Sequence, residues 1–237
     1  MPGSRSSAAR RLAAAPVARR FDFHSHTFLT DGDESATSMW HAAARMGHRL
    51  LAITDHVAAE DPKSLLDRLH AEARAFEDGP LRTLVGVELT ELPARMIADA
   101  ARRARRAGAQ IVIVHGETLL SPVPEGTNRA AVQSGEVDVL AHPGFLTDRD
   151  AETARANGTC LELSGRGVHG RTNGHVAKTA LAAGAALVVD SDAHRPEQLL
   201  TYEIAHQVAR GAGLTEAEAR RALERAPRLL ERKCRGG

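Results

Sequence analysis

Seven short runs of apolar and β-branched residues alternate along the chain with Ala-rich stretches of helical character, and this alternation constrains the fold most strongly. The predicted strands are residues 21–26, 49–54, 83–89, 110–115, 138–142, 159–163 and 185–190. Consecutive strands separated by a helix are parallel, because a parallel pair needs a crossover of about a dozen residues or more. Seven such repeats are too many for a small open sheet. They predict an α/β protein with a barrel close to the (β/α)₈ type.

The helical stretches carry the end signals of helices. Residues 35–47 begin with Ser and Thr residues that can cap a first turn and stop at Gly47, and a later stretch stops at Gly184 in the same way. Near the C-terminus, Thr215 followed by Glu218 fits a capping box. We interpret this region as C-terminal helices packed on the barrel, so that residues 21–237 form a single domain.

Composition excludes several classes of protein. The formal net charge of +1 offers no electrostatic case for a bulk nucleic-acid binder, and no apolar run approaches the ~20 residues of a membrane span. The distant Cys160 and Cys234 do not form a disulfide framework, which favours a reducing cytoplasm. Residues 1–20 are rich in Ser, Ala and Arg and lack the apolar core of a secretory signal, which predicts a disordered basic extension.

Every predicted strand delivers a His, Asp or Glu side chain at its C-terminal end or just beyond it. Nine of them are candidate metal ligands: His24, His26, Asp31, His56, Glu88, His115, His142, Asp192 and His194. In a parallel barrel these strand ends share one rim, where barrel enzymes assemble their sites. So many imidazoles and carboxylates would repel one another or stay protonated without a cation. The remaining histidines, such as His41, His48, His70 and His206, are predicted to lie on the surface.

The ligand types indicate which metals would bind. Imidazole together with carboxylate suits zinc, iron or manganese better than calcium or magnesium. Nine candidate ligands exceed what one ion can hold, so we expect two or three divalent transition-metal ions. Glu88 lies in the middle of the set and can bridge two ions through its two oxygens. Centres of this kind carry out hydrolysis, because they lower the pKa of a bridging water and clamp the attacking and leaving oxygens.

Six segments resemble successive motifs of the PHP (polymerase and histidinol phosphatase) superfamily, in the family's order. They are "DFHSHTFLTDG", "ITDH", "GVELT", "VHGE", "AHPG" and "SDAH", and they span Asp22 to His194. The stretches "HGET", "GTN" and "TNGHVAK" make the chain most similar to small stand-alone histidinol-phosphatase-like proteins. The resemblance implies a distorted (β/α)₇ barrel, similar to a TIM barrel, with two or three metal ions and hydrolysis of phosphate esters.

The resemblance also implies a map of the metal centre. Its three sites are His24, His26, Glu88 and Asp192; Glu88, His115 and His142, with Glu88 bridging; and Asp31, His56 and His194. No ligand position of the family is lost, which argues against an inactive member. We assign the catalytic role to Glu88, Asp192 and His194.

The loop "SGRGVHGRTNGH" after the sixth predicted strand is the best candidate for holding a substrate phosphate. Its glycines permit a close approach, and the predicted substrate-binding residues are Arg166, His169, Arg171 and Asn173. Arg166 is the first choice because it follows the strand most closely. The alternative is a Gly-rich connector whose arginines face solvent.

These observations predict a cytoplasmic metal-dependent phosphoesterase that acts on a small phosphorylated metabolite. Its substrate would be a phosphomonoester similar to histidinol phosphate, or a nucleotide, cleaved by a metal-activated bridging hydroxide. Two alternatives stay open: a nuclease-type phosphodiesterase that acts on nucleic-acid ends, and a non-catalytic metal-binding module. The basic run of Arg102, Arg103, Arg105 and Arg106 is predicted to be a solvated helix face, and a nucleic-acid patch is the less favoured interpretation.

Overall fold

Parallel strands form a nearly closed barrel with helices on its outside in the computed structural model, which describes residues 20–234. The strands are β1 (Arg20–Asp22), β2 (His48–Ile53), β3 (His56–Val57), β4 (Arg82–Leu89), β5 (Ile111–His115), β6 (Val139–Ala141), β7 (Cys160–Ser164) and β8 (Leu187–Asp190). Their hydrogen-bonded order is β1-β2-β4-β5-β6-β7-β8, and the short β3 pairs with the end of β4. The predicted distorted seven-stranded barrel is confirmed.

Helices connect the strands and cover the barrel. They are α1 (Ala36–Arg45), α2 (Lys63–Ala73), α3 (Ile97–Arg106), α4 (Thr127–Gln133), α5 (Asp148–Asn157), α6 (Asn173–Ala183), α7 (Tyr202–Gly211), α8 (Glu216–Arg220) and α9 (Ala226–Lys233), with a π-helical turn, Arg221–Arg225, before α9. Ser35 caps α1 by accepting a hydrogen bond from the Ser38 amide, and Gly184 ends α6 in the left-handed conformation. The predicted capping box of α8 is present. Between residues 20 and 234, no helix is long and apolar enough to cross a bilayer.

Two apolar layers stabilise the barrel. The outer layer lies between strands and helices and contains the fully buried Trp40, whose indole donates a hydrogen bond to the Leu51 carbonyl (3.3 Å). The inner layer fills the barrel and includes Phe21, Phe23 and Leu230. Since Leu230 belongs to α9, this last helix closes the N-terminal end of the barrel. The expectation that the C-terminal helices pack on the barrel therefore holds.

Side chains rather than a backbone ladder join β1 to β8. The Phe23 amide donates to Asp190 Oδ1 (2.8 Å), and the Ser191 amide donates to Asp22 Oδ1 (3.0 Å). Burial, with Asp22 and Glu162 nearby, raises the pKa of Asp190 well above its usual value. The strand predicted over residues 21–26 therefore ends at Asp22, because carboxyl groups take over the pairing and only an isolated bridge at Ser25 remains.

Two sequence-based expectations near the barrel's N-terminal end are corrected. Arg20, predicted to belong to the basic extension, is a buried residue of β1 and pairs with Asp22 (3.0 Å). His48, predicted to lie on the surface, opens β2 opposite Arg20 and is buried. Both corrections have one cause, since the strands begin earlier than their apolar runs. The rest of the predicted extension, residues 1–19, lies outside the described part of the chain.

Candidate metal centre

Glu88 lies at the middle of a cleft formed by the C-terminal ends of the strands. It is almost fully buried near the end of β4. Its Oε2 lies 3.2 Å from His24 Nε2, 3.4 Å from His26 Nε2 and 3.0 Å from His56 Nδ1. Its Oε1 lies 3.6 Å from His142 Nε2. The two oxygens of one carboxylate therefore face two sets of imidazoles, as a bridging ligand must.

Asp192 occupies the opposite side of the cleft, just beyond β8. Its Oδ1 lies 3.4 Å from His26 Nε2 and 3.5 Å from His194 Nδ1. Its Oδ2 lies 3.8 Å from His142 Nε2 and 3.7 Å from His169 Nε2. Like Glu88, this carboxylate reaches two groups of imidazoles, so the pair of acids links the whole cluster.

All nine predicted metal ligands meet in this cleft, although their grouping differs from the predicted map. Four sets have ligand atoms within 4.8 Å of one another: His26, Asp31, His56 and His194; His115, His142 and His169; His24, Glu88 and His142; and His24, His26 and Asp192. His26 thus joins the predicted third site. His169, predicted to bind substrate, stands with His115 and His142.

Buried polar atoms without hydrogen-bond partners test whether these residues fit metal ions. Both carboxylate oxygens of Glu88 and the Nδ1 atoms of His26, His56 and His142 are buried in this state. A buried carboxylate without a donor is costly unless a cation compensates it. A donor set of imidazoles and carboxylates suits transition metals. The residues therefore fit a centre of more than one divalent ion.

The electrostatics of the cleft also call for positive charge. Burial opposes protonation of His56, but Glu88 and Asp31 outweigh it and raise its pKa to about 10. Burial lowers the pKa of His26 to about 4, against the pull of Asp192 and Glu88. Although burial acts to raise the pKa of Glu88, the imidazoles of His24 and His56 lower it well below its usual value. The Glu88 carboxylate is therefore held in its ionised form, the form that binds a cation.

Two strand-end residues hold the candidate ligands in place. Glu162 Oε2 lies 2.7 Å from His24 Nδ1, which leaves the Nε2 of that ring facing Glu88. Asp55 accepts hydrogen bonds from the Thr27 amide (2.6 Å) and the Thr30 hydroxyl (2.9 Å), so it fixes the loop that carries Asp31. Such partners orient metal-binding side chains and tune their basicity.

Two residues of the cleft have backbone conformations that side chains rarely adopt. His142 has a φ of 27° and Asp192 a φ of 51°, both in the left-handed region. Such strain costs on the order of 1–3 kcal/mol per residue and collects at functional sites. Among residues 20–234, two of the three non-glycine residues with positive φ thus lie in the cleft, the third being Glu91, and this supports a functional role for these strand ends.

The "HGET" and "GTN" motifs join two loops that flank the cleft. Asn128 Oδ1 accepts from the Glu117 amide (3.0 Å), while its Nδ2 donates to the Pro143 carbonyl (2.7 Å). Gly144 has a φ of 65°, and a Cβ there would overlap the Glu117 carbonyl. Glu117 and Asn128 therefore hold the loops after β5 and β6 together.

The structure brings two of the four predicted substrate residues into the cleft. Arg166 Nη1 lies 3.2 Å from Asp192 Oδ1 and 2.7 Å from His194 Nδ1, and His169 lines the same cleft. Arg171 is exposed and lies outside the lining residues. Asn173 uses its amide on the backbone of Ser164, accepting from its N–H (3.1 Å) and donating to its carbonyl (2.9 Å).

The positions of Arg171 and Asn173 therefore do not support their predicted role as substrate ligands. Both belong to the turn that starts α6, where Arg171 is exposed and Asn173 is bound to Ser164. The cleft measures about 200 Å³, and the apolar side chains of Leu120 and Val168 line it beside the polar cluster.

Comparison with known sequences identifies two relatives. The uncharacterized protein MJ1295 of Methanocaldococcus jannaschii is 40% identical over 214 residues, which cover 89% of this chain and 98% of that protein. DNA polymerase/3'-5' exonuclease PolX of Bacillus subtilis is 28% identical over 200 residues, 75% of this chain but 35% of that enzyme. No model of a known protein family matches the chain.

Solved structures share the fold at low sequence identity. A structure of archaeal ribonuclease P with mature tRNA matches with a TM-score of 0.67 at 16% identity, over 90% of this chain and 91% of the matched chain. Histidinol phosphate phosphatase of Lactococcus lactis, complexed with zinc, L-histidinol and phosphate, matches with a TM-score of 0.59 at 13% identity, over 83% and 95%. Aspergillus niger ochratoxinase matches with a TM-score of 0.62 at 12% identity, over 90% and 71%.

The barrel has the TIM-barrel-like fold of these solved structures. Within that fold class, the chain belongs to the PHP superfamily, in the family of the M. jannaschii protein.

Proposed function

We propose that the protein is a metal-dependent phosphoesterase that hydrolyses a small phosphomonoester. The observation that carries the proposal is the position of Glu88, whose two oxygens face different sets of imidazoles in the cleft that also holds Arg166. A phosphate group needs both kinds of partner, metal ions for its reacting oxygens and a guanidinium for its remaining charge. The fold shared with a phosphatase complexed with zinc and phosphate supports the same conclusion.

Each part of the cleft has a role in this reaction. The nine clustered ligands would hold the ions, which when bound lower the pKa of a water and neutralise charge on the phosphate. Glu88 and Asp192 each contact two groups of imidazoles and so keep the two groups side by side. Glu162 fixes the ring of His24. Arg166, one-third exposed at the edge of the cleft, donates N–H groups to the phosphate and orients it for in-line attack.

The size and charge of the surroundings favour a small substrate. A cleft of about 200 Å³ accommodates a phosphate with a modest organic group, and Leu120 and Val168 offer that group apolar contact. The basic run on α3 does not extend the cleft. Arg103 pairs with Asp99 on the same helix (2.5 Å), and Arg105 pairs with Asp138. This run is a partly neutralised helix face, so the nucleic-acid alternative is less favoured.

A substrate screen with matched variants tests the proposal. We expect the manganese-loaded protein to hydrolyse aryl phosphate and members of a panel of phosphorylated metabolites. Arg166→Ala should lower kcat/KM by roughly ten- to a hundredfold, because a charge-assisted contact contributes on the order of 1.5–3 kcal/mol. Arg171→Ala is the matched control, since this arginine lies in the same loop but outside the cleft. Metal content should be unchanged in both variants.

Three results would contradict the proposal. Cleavage of oligonucleotide ends without cleavage of any monoester would support the phosphodiesterase alternative. A metal-loaded protein that hydrolyses none of these substrates would support a non-catalytic module. Equal inhibition of the wild type and Arg166→Ala by inorganic phosphate would show that Arg166 does not bind the phosphate.

A further inference from the structure

His169 stands beside two predicted metal ligands although it comes from a different loop. It follows β7 in the Gly-rich segment 164–175, and its side chain is only 7% exposed. Its ring stacks on that of His142 with centroids 4.2 Å apart and meets the ring of His115 edge-on at 5.8 Å. Ligand atoms of these three imidazoles all lie within 4.8 Å of one another.

The hydrogen bonds of these rings leave the correct nitrogen atoms facing the cleft. His169 Nδ1 lies 3.1 Å from the Thr118 hydroxyl, and His115 Nδ1 lies 3.0 Å from the Gly116 carbonyl. A ring that donates through Nδ1 keeps a lone pair on Nε2, which is the usual arrangement in a metal-binding histidine. With Nδ1 engaged by an oxygen atom, each ring has its Nε2 left to bind an ion when Nδ1 carries the proton.

The spacing of the donor atoms matches the coordination sphere of a metal ion. Asp192 Oδ2 lies 3.7 Å from His169 Nε2 and 3.8 Å from His142 Nε2, too far for hydrogen bonds. Ligands at about 2.0–2.1 Å from a tetrahedral ion are about 3.3–3.4 Å apart. Both distances from Asp192 Oδ2 are thus within about half an ångström of the separation that a shared ion imposes.

We propose that His169 is a further metal ligand, which binds the same ion as His115 and His142. This inference rests on the metal centre of the proposed function and not on its substrate. It replaces the sequence-based interpretation of His169 as a phosphate donor. The turn in which the Arg166 carbonyl accepts from the His169 amide (3.0 Å) then connects this metal ligand directly to the arginine at the edge of the cleft.

Cobalt binding without substrate tests the assignment. Wild type, His169→Gln and the control His206→Gln are stripped with a chelator and titrated with Co²⁺, and bound metal is followed by elemental analysis and visible absorption. His206 pairs with Glu216 on the exposed side of α7, far from the strand ends, so its variant should behave as the wild type. His169→Gln should bind one ion at least tenfold more weakly and shift the visible spectrum, with the other ions retained.

Two further variants distinguish the loss of a metal ligand from misfolding of the protein. Thr118→Val removes the hydroxyl that orients His169, and it should lower the affinity for the same ion to a smaller extent. His169→Gly should recover cobalt affinity and spectrum on addition of free imidazole. The proposal is overturned if His169→Gln keeps wild-type cobalt affinity and spectrum, or if imidazole restores nothing in a folded His169→Gly protein. Neither readout involves hydrolysis, so each decides the point even if no phosphate ester is cleaved.

Discussion

The two oxygens of Glu88 have different neighbours. Oε2 lies within 3.4 Å of three imidazole nitrogens, and Oε1 faces His142 at 3.6 Å. Asp31, by contrast, has a half-exposed side chain that contacts His56 and His194 at one edge of the cluster. The position of Glu88 therefore lets it bind two ions, whereas the position of Asp31 lets it bind one.

This difference predicts the effect of two conservative substitutions. Glu88→Gln removes the charge and one oxygen from a bridging position, so it should abolish binding of two ions and nearly all turnover. Asp31→Asn should affect one ion and cost at least tenfold less activity. Metal content and kcat/KM measured on both variants check this. Near wild-type turnover of Glu88→Gln with full metal content would contradict the bridging role.

His48 predicts a dependence of stability on pH. Burial and the adjacent Arg20 lower its pKa to about 4, against the opposing effect of Asp22. The unfolded chain has a histidine pKa near 6.5, so between these values only the unfolded state binds the proton. His48 therefore contributes stability that is present above about pH 6.5 and is lost as the pH falls towards 4.

Urea unfolding at pH 7.5 and pH 5 measures this contribution. The free energy of unfolding should fall between the two pH values by about 2 kcal/mol more in the wild type than in His48→Gln, which cannot titrate. Other acids and histidines titrate in both proteins, so only the difference between them is diagnostic. Parallel losses in the two proteins would show that His48 is protonated in the folded state.

Helix α9 is the element that completes the barrel core. Its Leu230 is buried in the inner layer, while the adjacent Leu229 is 52% exposed. Charged residues on the same helix contact the N-terminal strand ends, since Lys233 Nζ lies 3.0 Å from Asp138 Oδ1. The helix thus fills the opening of the barrel opposite the metal cleft.

Neighbouring leucines provide a matched test of this role. Leu230→Ala should lower the free energy of unfolding by about 2–4 kcal/mol, because it leaves a cavity in a closed core. Leu229→Ala should change it by less than about 0.5 kcal/mol, as for other exposed positions. Chemical denaturation of the two variants provides the measurement. Similar effects at both positions would mean that α9 does not close the barrel.

Across the whole molecule, the candidate metal centre joins segments that are distant in sequence, from the loop after β1 to the loop after β8. Ions bound between them favour the folded chain by mass action, by about 4 kcal/mol at a thousandfold excess over Kd. We expect chelation to lower Tm, and two to three equivalents of manganese, iron or zinc to restore it. Elemental analysis with thermal unfolding measures both. One equivalent or none after reconstitution, with an unchanged Tm, would contradict a multi-metal centre.

Local patterns in the sequence were enough to predict the barrel and the cluster of candidate ligands. Strand and helix periodicity, with end signals such as Ser35 and Gly184, predicted the barrel because these features depend on neighbours in the chain. Acids and histidines at successive strand ends predicted one cluster, since parallel strands must bring those ends to the same rim. The order of parallel strands was therefore enough to predict that the nine candidate ligands lie close together.

Contacts between distant segments were decided by the tertiary structure alone. The sequence could not show that Asp22 and Asp190 replace a backbone ladder, that His48 is buried, or that the Asn173 amide binds the backbone of Ser164. His169 lies 27 residues beyond His142 in the chain, yet their rings stack. Periodicity in the sequence predicts the direction in which a side chain points from its own helix or strand. Its contacts with side chains of other loops depend on how those loops pack, and this packing exists only in the folded barrel.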